Sequence, residues 1–373
     1  MRALIWVQHL LGTGHLHRAF AIGRALAERG LDVTIASGGP PDVKAPDGVR
    51  LVQLPPVRAA DPTFSALVDE AGEPVDDRFW AARRDRLLGL FHDLAPHALI
   101  TELFPFGRRA FRRELLPLLE AALTAGVPRL ASVRDVLVEK PDPERTIWML
   151  ELANRFYTRV LVHTDPQLVP FGLTFPHAAA LGERLVTTGY LAPTATTRRE
   201  PSGEVLVSAG GGRVGRELIL CAALARRSSA RPDVPWRLIT GAGLPEDDFR
   251  SISNGAGGNL TIERHRDDFQ DLLAASLLSV SQAGYNTVVE ALTFRKPMVL
   301  VPFETASETE QRVRAARLAA LGLAEVVPAN RLTPSRLAAA IDRALDTPSR
   351  SVPEVDLGGA GRTARIVEGL IAR

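Results

Sequence analysis

The chain has 373 residues, of which 46% are hydrophobic and 24% charged, with 45 basic and 43 acidic side chains. This length suits two domains better than one, and the composition excludes a disordered, collagen-like or coiled-coil protein. A net charge of +2 gives no reason to expect a nucleic-acid partner. The single cysteine, Cys221, excludes an internal disulfide. The sequence has neither a long apolar run nor a signal-peptide pattern. The single cysteine fits a reducing compartment, and we expect a cytoplasmic protein.

The first elements alternate between strand and helix. Residues 2–8 predict a buried strand, residues 16–28 an amphipathic helix closed by Gly30, and residues 32–37 a second strand. This βαβ unit predicts a parallel sheet with a right-handed crossover. Further strands are predicted at 98–101, 129–132 and 160–163, with a helix near 111–125.

A second series of strands and helices follows a segment rich in proline, threonine and charge. We predict an N-terminal domain at 1–190, a linker at 191–203, a second domain at 204–355 and a final helical segment at 356–373. In the second domain we predict strands at 204–209, 236–240, 260–263, 277–281 and 298–301, and helices at 285–292, 308–321 and 334–345. The fold class is α/β, with two Rossmann-like, doubly wound domains. A ligand cleft is expected at the carboxyl ends of their strands.

A glycine loop at residues 12–15 (Gly-Thr-Gly-His) joins the first strand to the first helix. Glycines there let the backbone turn sharply and let a ligand approach. His15 would lie at the helix amino terminus, where the dipole keeps the imidazole neutral and available as a base. The same pattern also fits a plain strand-to-helix turn, and for His17 that simpler interpretation is favoured.

A run of three glycines at residues 210–212 follows the first strand of the second domain and precedes a helix. Backbone amides at such a turn can hold an anion without a metal. The glycine spacing is not that of the dinucleotide fingerprint, and the Lys-Ser/Thr end of a Walker loop is missing. The pattern favours phosphate binding modestly over a simple tight turn.

The stretch 281–290 (Ser-Gln-Ala-Gly-Tyr-Asn-Thr-Val-Val-Glu) leads from an apolar strand through Gly284 into a helix. Glu290 could accept hydrogen bonds from both vicinal hydroxyls of a ribose. Thr287 and Glu290 also fit a capping box, which needs no ligand. The residues alone leave both interpretations open.

These motifs, followed by Val-Pro-Phe at 301–303 and Glu-Gln at 310–311, occur in the order seen in a known family. The chain resembles the two-domain GT-B glycosyltransferases, specifically relatives of the bacterial N-acetylglucosaminyltransferase that completes lipid II. The resemblance covers residues 204–345 and, in the N-terminal half, mainly the first βαβ unit. The stretch 102–109 (Glu-Leu-Phe-Pro-Phe-Gly-Arg-Arg) is similar to that of uncharacterised bacterial proteins described as predicted glycosyltransferases.

The resemblance implies a role for each matching position. His15 would be the base, Glu290 would bind the ribose, and the loop near Arg266 would hold the nucleotide base through its backbone. Glu310 and Gln311 would contact sugar hydroxyls. The residues expected to face the diphosphate are Gly211, Gly212, Ser281, Gly284, Asn286 and Thr287. The implied co-substrate is a nucleotide diphosphate sugar, in particular a UDP-sugar, with neither a metal nor a prosthetic group.

The chain departs from the family at three points. Its glycine loop is shorter, the spacing from the Val-Pro-Phe motif to Gln311 is one residue longer, and Glu310 replaces a glutamine. The identity of the donor sugar is therefore not carried over.

The stretch 102–113 is a candidate acceptor pocket, because four arginines crowd the positive end of a predicted helix. That cost points to an anionic ligand near Arg108 and Arg109. Phenylalanines 104, 106 and 111 could instead contact a membrane surface, and an ordinary helix with solvated arginines is the plainer alternative. The remaining acceptor candidates are Gly14, His17, Glu102, Arg134 and Asp135.

Together with these residues, the resemblance implies an inverting, metal-independent glycosyl transfer to a small or lipid-linked acceptor, in the cytoplasm or at the inner face of the membrane. The first alternative is a nucleotide-sugar hydrolase, because residues 12–18 also resemble the Gly-x-Gly-His-x-x-Arg loop of bacterial hydrolases with this fold. The second is a non-catalytic nucleotide-sugar-binding protein. The sequence does not indicate the oligomeric state.

Overall fold

A computed structural model describes residues 1–10, 12–41, 43–61, 66–138, 142–193, 199–209, 215–241, 243–254, 258–305, 309–346 and 354–372. The chain divides into two compact units. The N-terminal unit comprises residues 1–192 and 356–373, and the C-terminal unit comprises residues 193–355.

The N-terminal unit is built on a seven-stranded parallel sheet in the order β3-β2-β1-β6-β7-β8-β9. Its elements are β1 (Arg2–Val7), α1 (Gly14–Ala27), β2 (Asp32–Ser37), β3 (Val49–Gln53), β4 (Arg58–Ala59), β5 (Leu67–Val68), α2 (Asp77–Leu94), β6 (Ala98–Glu102), α3 (Arg112–Thr124), β7 (Arg129–Arg134), α4 (Pro143–Phe156), β8 (Arg159–His163) and β9 (Leu185–Thr187). The short β4 and β5 form a separate antiparallel pair. All carboxyl ends of the parallel strands lie at one edge of the sheet.

Both faces of this sheet are buried, as expected for parallel strands. Along β1, Leu4 and Trp6 belong to one hydrophobic core while Ile5 and Val7 belong to another, because successive side chains point to opposite faces. The first core is completed by α2, α3 and α4, and the second by α1.

The C-terminal unit repeats this plan with a six-stranded sheet in the order β12-β11-β10-β13-β14-β15, all parallel. Its elements are β10 (Val205–Ser208), α5 (Arg216–Ala225), β11 (Trp236–Ile239), α6 (Glu246–Asn254), β12 (Leu260–Glu263), α7 (Phe269–Ala275), β13 (Leu278–Ser281), α8 (Tyr285–Thr293), β14 (Met298–Leu300), α9 (Glu310–Ala320), β15 (Ala324–Val326) and α10 (Pro334–Asp346).

The last helix, α11 (Gly359–Ile371), belongs to the N-terminal unit and packs against α1. The backbone N–H of Tyr190 donates to the carbonyl of Asp356 at 2.7 Å, and the N–H of Asp356 donates to Asp165 Oδ2 at 2.9 Å. Arg29 of the α1–β2 turn pairs with Glu368 of α11 at 2.5 Å. These bonds fix the returning end of the chain on the N-terminal unit.

Two features of the N-terminal unit correct the sequence analysis. Helices α2 and α4 were not predicted, because charged residues on their exposed faces interrupt the apolar pattern. Phe104, Phe106 and Phe111 are at most 2% exposed and belong to the core beneath α2 and α3. The interpretation that these three side chains contact a membrane is therefore wrong.

No helix within the described ranges has the length and apolar character needed to cross a membrane.

Candidate functional site

His15 is the second residue of α1, directly after the glycine loop that leaves β1. Thr13 is the N-cap residue of α1 and makes no side-chain hydrogen bond to the first turn. The positive end of the helix dipole lies at His15 and disfavours a protonated imidazole.

Glu102, the last residue of β6, brings a carboxylate to the same place. Its Oε2 lies 2.6 Å from Nδ1 of His15. The side chain of Glu102 is 1% exposed and that of His15 is 14% exposed. His15 is therefore the member of this pair that a substrate can reach.

Arg18, one helical turn after His15, completes the cluster. Its Nη2 donates to Glu102 Oε1 at 2.7 Å, and its Nε approaches the same oxygen at 3.2 Å. Only 4% of Arg18 is exposed, so the ion pair with Glu102 is buried.

Burial and charge set the protonation of this cluster. Burial is the largest influence on His15 and lowers its pKa well below the usual value; the Glu102 charge opposes this, and Arg108 and Arg18 reinforce it. Burial alone would raise the pKa of Glu102, but His15 and Arg18 outweigh it and hold that pKa well below its usual range. The cluster thus combines an ionised carboxylate with a neutral imidazole at neutral pH.

Arg108 and Arg109 are adjacent in sequence but lie in different environments. Arg108 has a left-handed backbone (φ 58°), and its Nε donates to the carbonyl of Gln8 at 2.9 Å. Its charge influences both His15 and Glu102. Arg109 instead places its guanidinium over the ring of Trp148, 5.4 Å from the centroid.

The other acceptor candidates differ in accessibility. Gly14 begins α1, and His17 is exposed, with an edge contact to Phe20. Arg134 ends β7 and is partly buried, whereas Asp135 is fully buried, with Oδ1 accepting from the Val136 amide at 2.8 Å. Asp135 is thus hidden from solvent in this structure.

A buried polar row continues along the carboxyl edge of the sheet. His163 at the end of β8 has Nε2 2.9 Å from Ser132 Oγ and Nδ1 2.8 Å from Thr188 Oγ1. Burial lowers the pKa of His163 to about 3, with a further contribution from Arg18 that the Glu102 charge opposes. His163 is therefore a neutral, fully enclosed side chain behind the His15 cluster.

In the C-terminal unit, the stretch 281–290 forms the turn from β13 into α8. Ser281 is buried at the strand end, Gly284 precedes the helix, and Asn286 and Thr287 lie in the first turn. Gly284 has φ −65°, and a Cβ added there would meet no described atom within 4 Å. Among the described residues, the space beside Gly284 and in front of the first turn of α8 is therefore open.

Glu290 lies in the second turn of α8, and Gln270 of α7 donates to its Oε1 at 3.1 Å. Burial raises the pKa of Glu290 to about 7, and the Gln270 bond opposes this rise. The capping-box interpretation is wrong, because α8 begins at Tyr285 and Thr287 is inside the helix.

The loop predicted to hold a base, between β12 and α7, is fixed by ion pairs. Arg266 donates from Nε and Nη2 to the two oxygens of Asp268, at 2.8 and 2.9 Å, and from Nη1 to Glu263 at 3.0 Å. Asp268 also pairs with Arg199. The side chain of Arg266 thus braces the loop.

The two predicted sugar-binding residues begin α9. Glu310 is 5% exposed and accepts from Arg314 Nη2 at 2.7 Å. Arg314 also donates to the carbonyl of Ala283 at 2.6 Å, which links α9 to the turn before α8. Gln311 Oε1 accepts from the Phe303 amide at 3.0 Å. Gly211 and Gly212 lie outside the described residues.

Sequence reasoning assigned no role to Arg18, Gln270 or Arg314. Arg18 is the last residue of the Gly-x-Gly-His-x-x-Arg motif, and its spacing of three from His15 places both residues on one helix face. Gln270 carries no comparable signal, because its partner Glu290 is on another helix. A charged i, i+4 pair was visible in Glu310 and Arg314, but it is typical of solvated helix faces.

The C-terminal unit is similar to a known domain family. Residues 210–356 match the model of the glycosyltransferase family 28 C-terminal domain. An uncharacterized glycosyltransferase of Methanopyrus kandleri is 30% identical over 167 residues, which cover 45% of this chain and 45% of that protein. The chain thus matches less than half the length of this relative.

A relative from Rhodopseudomonas palustris aligns over nearly the whole chain. This protein, UDP-N-acetylglucosamine--N-acetylmuramyl-(pentapeptide) pyrophosphoryl-undecaprenol N-acetylglucosamine transferase, is 27% identical over 94% of this chain and 89% of its own length.

Solved structures show the same fold. The calicheamicin glycosyltransferase CalG4 has a TM-score of 0.68 at 19% identity, covering 100% of this chain and 99% of its own. The glycosyltransferase VinC, solved with dTDP, has a TM-score of 0.62 at 17% identity, with 100% and 95% covered. LpCGTa, solved with UDP, has a TM-score of 0.63 at 16% identity, with 100% and 94% covered.

These findings confirm the predicted fold class and relationship. The chain has the GT-B fold with two Rossmann-like domains, and it is related to the glycosyltransferases. It carries a family 28 C-terminal domain at residues 210–356.

Proposed function

We propose that this protein is an inverting, metal-independent glycosyltransferase. It transfers a sugar from a nucleotide diphosphate sugar, most simply a UDP-sugar, to an acceptor hydroxyl. The observation that carries the proposal is the 2.6 Å contact between His15 Nδ1 and Glu102 Oε2 at the carboxyl edge of a GT-B sheet. A neutral imidazole held by a carboxylate is a general base that is already oriented.

In this reaction His15 takes the proton of the acceptor hydroxyl as its oxygen attacks the anomeric carbon from the face opposite the leaving diphosphate. One carbon–oxygen bond forms as the other breaks, so the configuration inverts. Glu102 orients the imidazole and stabilises the imidazolium that forms. The acceptor thus belongs to the N-terminal unit, and Arg108 is proposed to contact an anionic group on it.

The donor belongs to the C-terminal unit. The amino terminus of α8, which has no side-chain cap and lies behind the open space at Gly284, suits a diphosphate. The first-turn amides of α8 would take up the leaving-group charge, so no metal is needed in this proposal. Glu290 is proposed to accept from the ribose hydroxyls. The relative from Rhodopseudomonas palustris is named for a UDP-sugar donor and an undecaprenol-linked acceptor. This name supports the proposal of a UDP-sugar donor and of a lipid-linked acceptor at the membrane face.

The test combines binding and turnover. Calorimetric titration with UDP, GDP and dTDP should show selective binding of UDP, and His15→Ala should retain this binding. Radiolabelled UDP-sugars incubated with extracted membrane lipids should give a labelled product with wild-type protein and none with His15→Ala. Equal product from His15→Ala would overturn the base assignment.

The two alternatives give different results in the same assay. Release of free sugar without any acceptor product would favour the hydrolase. Binding of nucleotide sugar without turnover would favour the non-catalytic protein.

A further inference from the structure

Arg18 is a buried arginine that the proposed chemistry does not yet use. It lies on α1, three residues after His15, and is 4% exposed. A buried guanidinium is retained at a cost unless its donors are well paired. Its position beside the proposed base therefore calls for an explanation in terms of that base.

The two oxygens of the Glu102 carboxylate have different partners. Both Nε and Nη2 of Arg18 approach Oε1, at 3.2 and 2.7 Å. The second oxygen, Oε2, lies 2.6 Å from His15 Nδ1. Arg18 thus holds the carboxylate by one oxygen and turns the other toward the imidazole.

We propose that Arg18 is a positioning residue that, through Glu102, dictates which ring nitrogen of His15 carries the proton. This inference rests on the proposed function, in which His15 must offer a bare Nε2 to the acceptor hydroxyl. Arg18 itself touches no reacting atom.

Two contacts at Nδ1 favour opposite tautomers of His15, because Arg18 Nη2 can donate only to a bare nitrogen and Glu102 Oε2 can accept only from a protonated one. The carboxylate contact decides, since it is the shorter of the two and Arg18 Nη2 already donates to Glu102 Oε1 at 2.7 Å. Nδ1 lies between Glu102 Oε2 at 2.6 Å and Arg18 Nη2 at 2.8 Å. If Nδ1 were bare, its lone pair would face a buried, ionised carboxylate oxygen at short range. With a proton on Nδ1, that contact becomes a charge-assisted hydrogen bond, and Nε2 keeps its lone pair.

Arg18 also partly neutralises the charge of Glu102, and it therefore opposes protonation of the second ring nitrogen of His15. The charged groups that influence His15 are Glu102 on β6, Arg108 before α3 and Arg18 on its own helix, while the nearby His163 on β8 is neutral. Without Arg18, the carboxylate would form an ion pair with the imidazolium alone. The doubly protonated form would then persist to higher pH.

The first test needs no substrate and is read on the wild-type cluster. Long-range 1H–15N spectra of the full-length wild-type protein report the tautomer, with His15→Gln used only to assign the signals. We expect Nδ1 to carry the proton at neutral pH. A proton on Nε2 would overturn the proposal, even if sugar transfer by the protein had been demonstrated.

The second test changes the charge. Arg18→Met should raise the pH at which His15 titrates by about one unit or more, and the acidic limb of the kcat/KM profile should move with it. Arg18→Lys, which keeps the positive charge, should restore much of the wild-type value. Arg24→Met is the matched control, because Arg24 is on the same helix, is 51% exposed and pairs with Glu28.

A merely structural role predicts another pattern. Arg18→Met would then lower stability and rate at every pH and leave the titration of His15 unchanged, which would contradict the proposal. If Arg18→Met does not fold, the Arg18→Met, Glu102→Gln double variant removes both buried charges. His15 should then populate both tautomers, and retention of a single Nδ1–H form would contradict the proposal.

Absence of sugar transfer in the wild type would overturn the proposed function. The tautomer and its titration are measured independently of transfer, so the two failures are distinguishable.

Discussion

Nδ1 of His15 lies 2.6 Å from Oε2 of Glu102, although 87 positions separate the two residues in the chain. The helix start after β1 and the carboxyl end of β6 meet because β1 and β6 are neighbours in the parallel sheet. An ionised carboxylate fixed by Arg18 can therefore orient a neutral imidazole. This contact places a candidate catalytic pair, His15 and Glu102, at the end of the short glycine loop of residues 12–15.

Replacing Glu102 by glutamine should slow glycosyl transfer. The amide no longer offers two equivalent acceptor oxygens and can present a donor to Nδ1, which favours the wrong tautomer. We expect kcat to fall by roughly a hundredfold or more while nucleotide affinity is unchanged. Glu120→Gln is the control, because Glu120 is 47% exposed and pairs with Arg155. A kcat within a factor of two of wild type would exclude Glu102 from the base assembly.

Nucleotide binding should depend on the protonation of Glu290. Burial raises the pKa of Glu290 from 4.5 to about 7, so its ionised fraction rises about tenfold between pH 6 and pH 8. If the ionised form accepts from the ribose, UDP affinity should rise by up to about tenfold across this range. Calorimetry on the wild type and Glu290→Gln measures it, and the variant should lose the Glu290-dependent part of the rise. An identical pH dependence in both proteins would remove Glu290 from the ribose site.

The same carboxyl should affect stability without ligand. Its folded-state pKa lies above its unfolded value, so its contribution to stability is fully present below pH 4.5 and is lost as the pH rises to about 7. Relative to Glu290→Gln, the wild-type protein should therefore lose stability between pH 5 and pH 8. Thermal unfolding of both proteins at several pH values measures this difference, and a constant difference would contradict the raised pKa.

The adjacent arginines 108 and 109 provide a matched pair for the acceptor site. Arg108 influences His15 and Glu102, whereas Arg109 is stacked on Trp148. Arg108→Ala should raise the KM for an anionic acceptor about tenfold or more, since a charge-assisted hydrogen bond contributes 1.5–3 kcal/mol in typical cases. Arg109→Ala should change this KM by less than twofold. Equal changes in the acceptor KM of the two variants would contradict a specific role of Arg108 in acceptor binding.

The Glu310–Arg314 pair should stabilise the turn before α8. The side chain of Arg314 is 1% exposed and that of Glu310 6%, so Arg314→Met leaves a buried carboxylate without its cation. We expect a loss of about 3 kcal/mol and faster hydrogen exchange over α8 and α9. Arg312→Met, at a residue 49% exposed, is the control. Unchanged exchange in Arg314→Met would show that the ion pair does not hold the turn.

Much of this architecture was predictable from local patterns. The alternation of apolar runs with glycine turns predicts two parallel α/β domains, since buried strands and amphipathic helices are encoded by neighbouring residues. The GT-B fold and the relationship to glycosyltransferases are confirmed. The interpretation of Thr287 and Glu290 as a capping box is wrong, because α8 begins at Tyr285 and has no side-chain cap.

Only the tertiary structure decided which residues act together. The sequence by itself pointed to His15 and Glu290 as polar residues in suggestive positions. Their partners Glu102, Arg18 and Gln270 were fixed by strand order and helix packing, which bring distant segments into contact. The sequence also did not separate Arg108 from Arg109, or show whether the phenylalanines of residues 102–113 are buried or exposed. In the structure the aromatic rings are buried in the core, Arg109 lies over Trp148, and Arg108 donates to the carbonyl of Gln8 while its charge acts on His15. Only the tertiary structure decides these environments, because burial and charge pairing depend on neighbours that are remote in the chain.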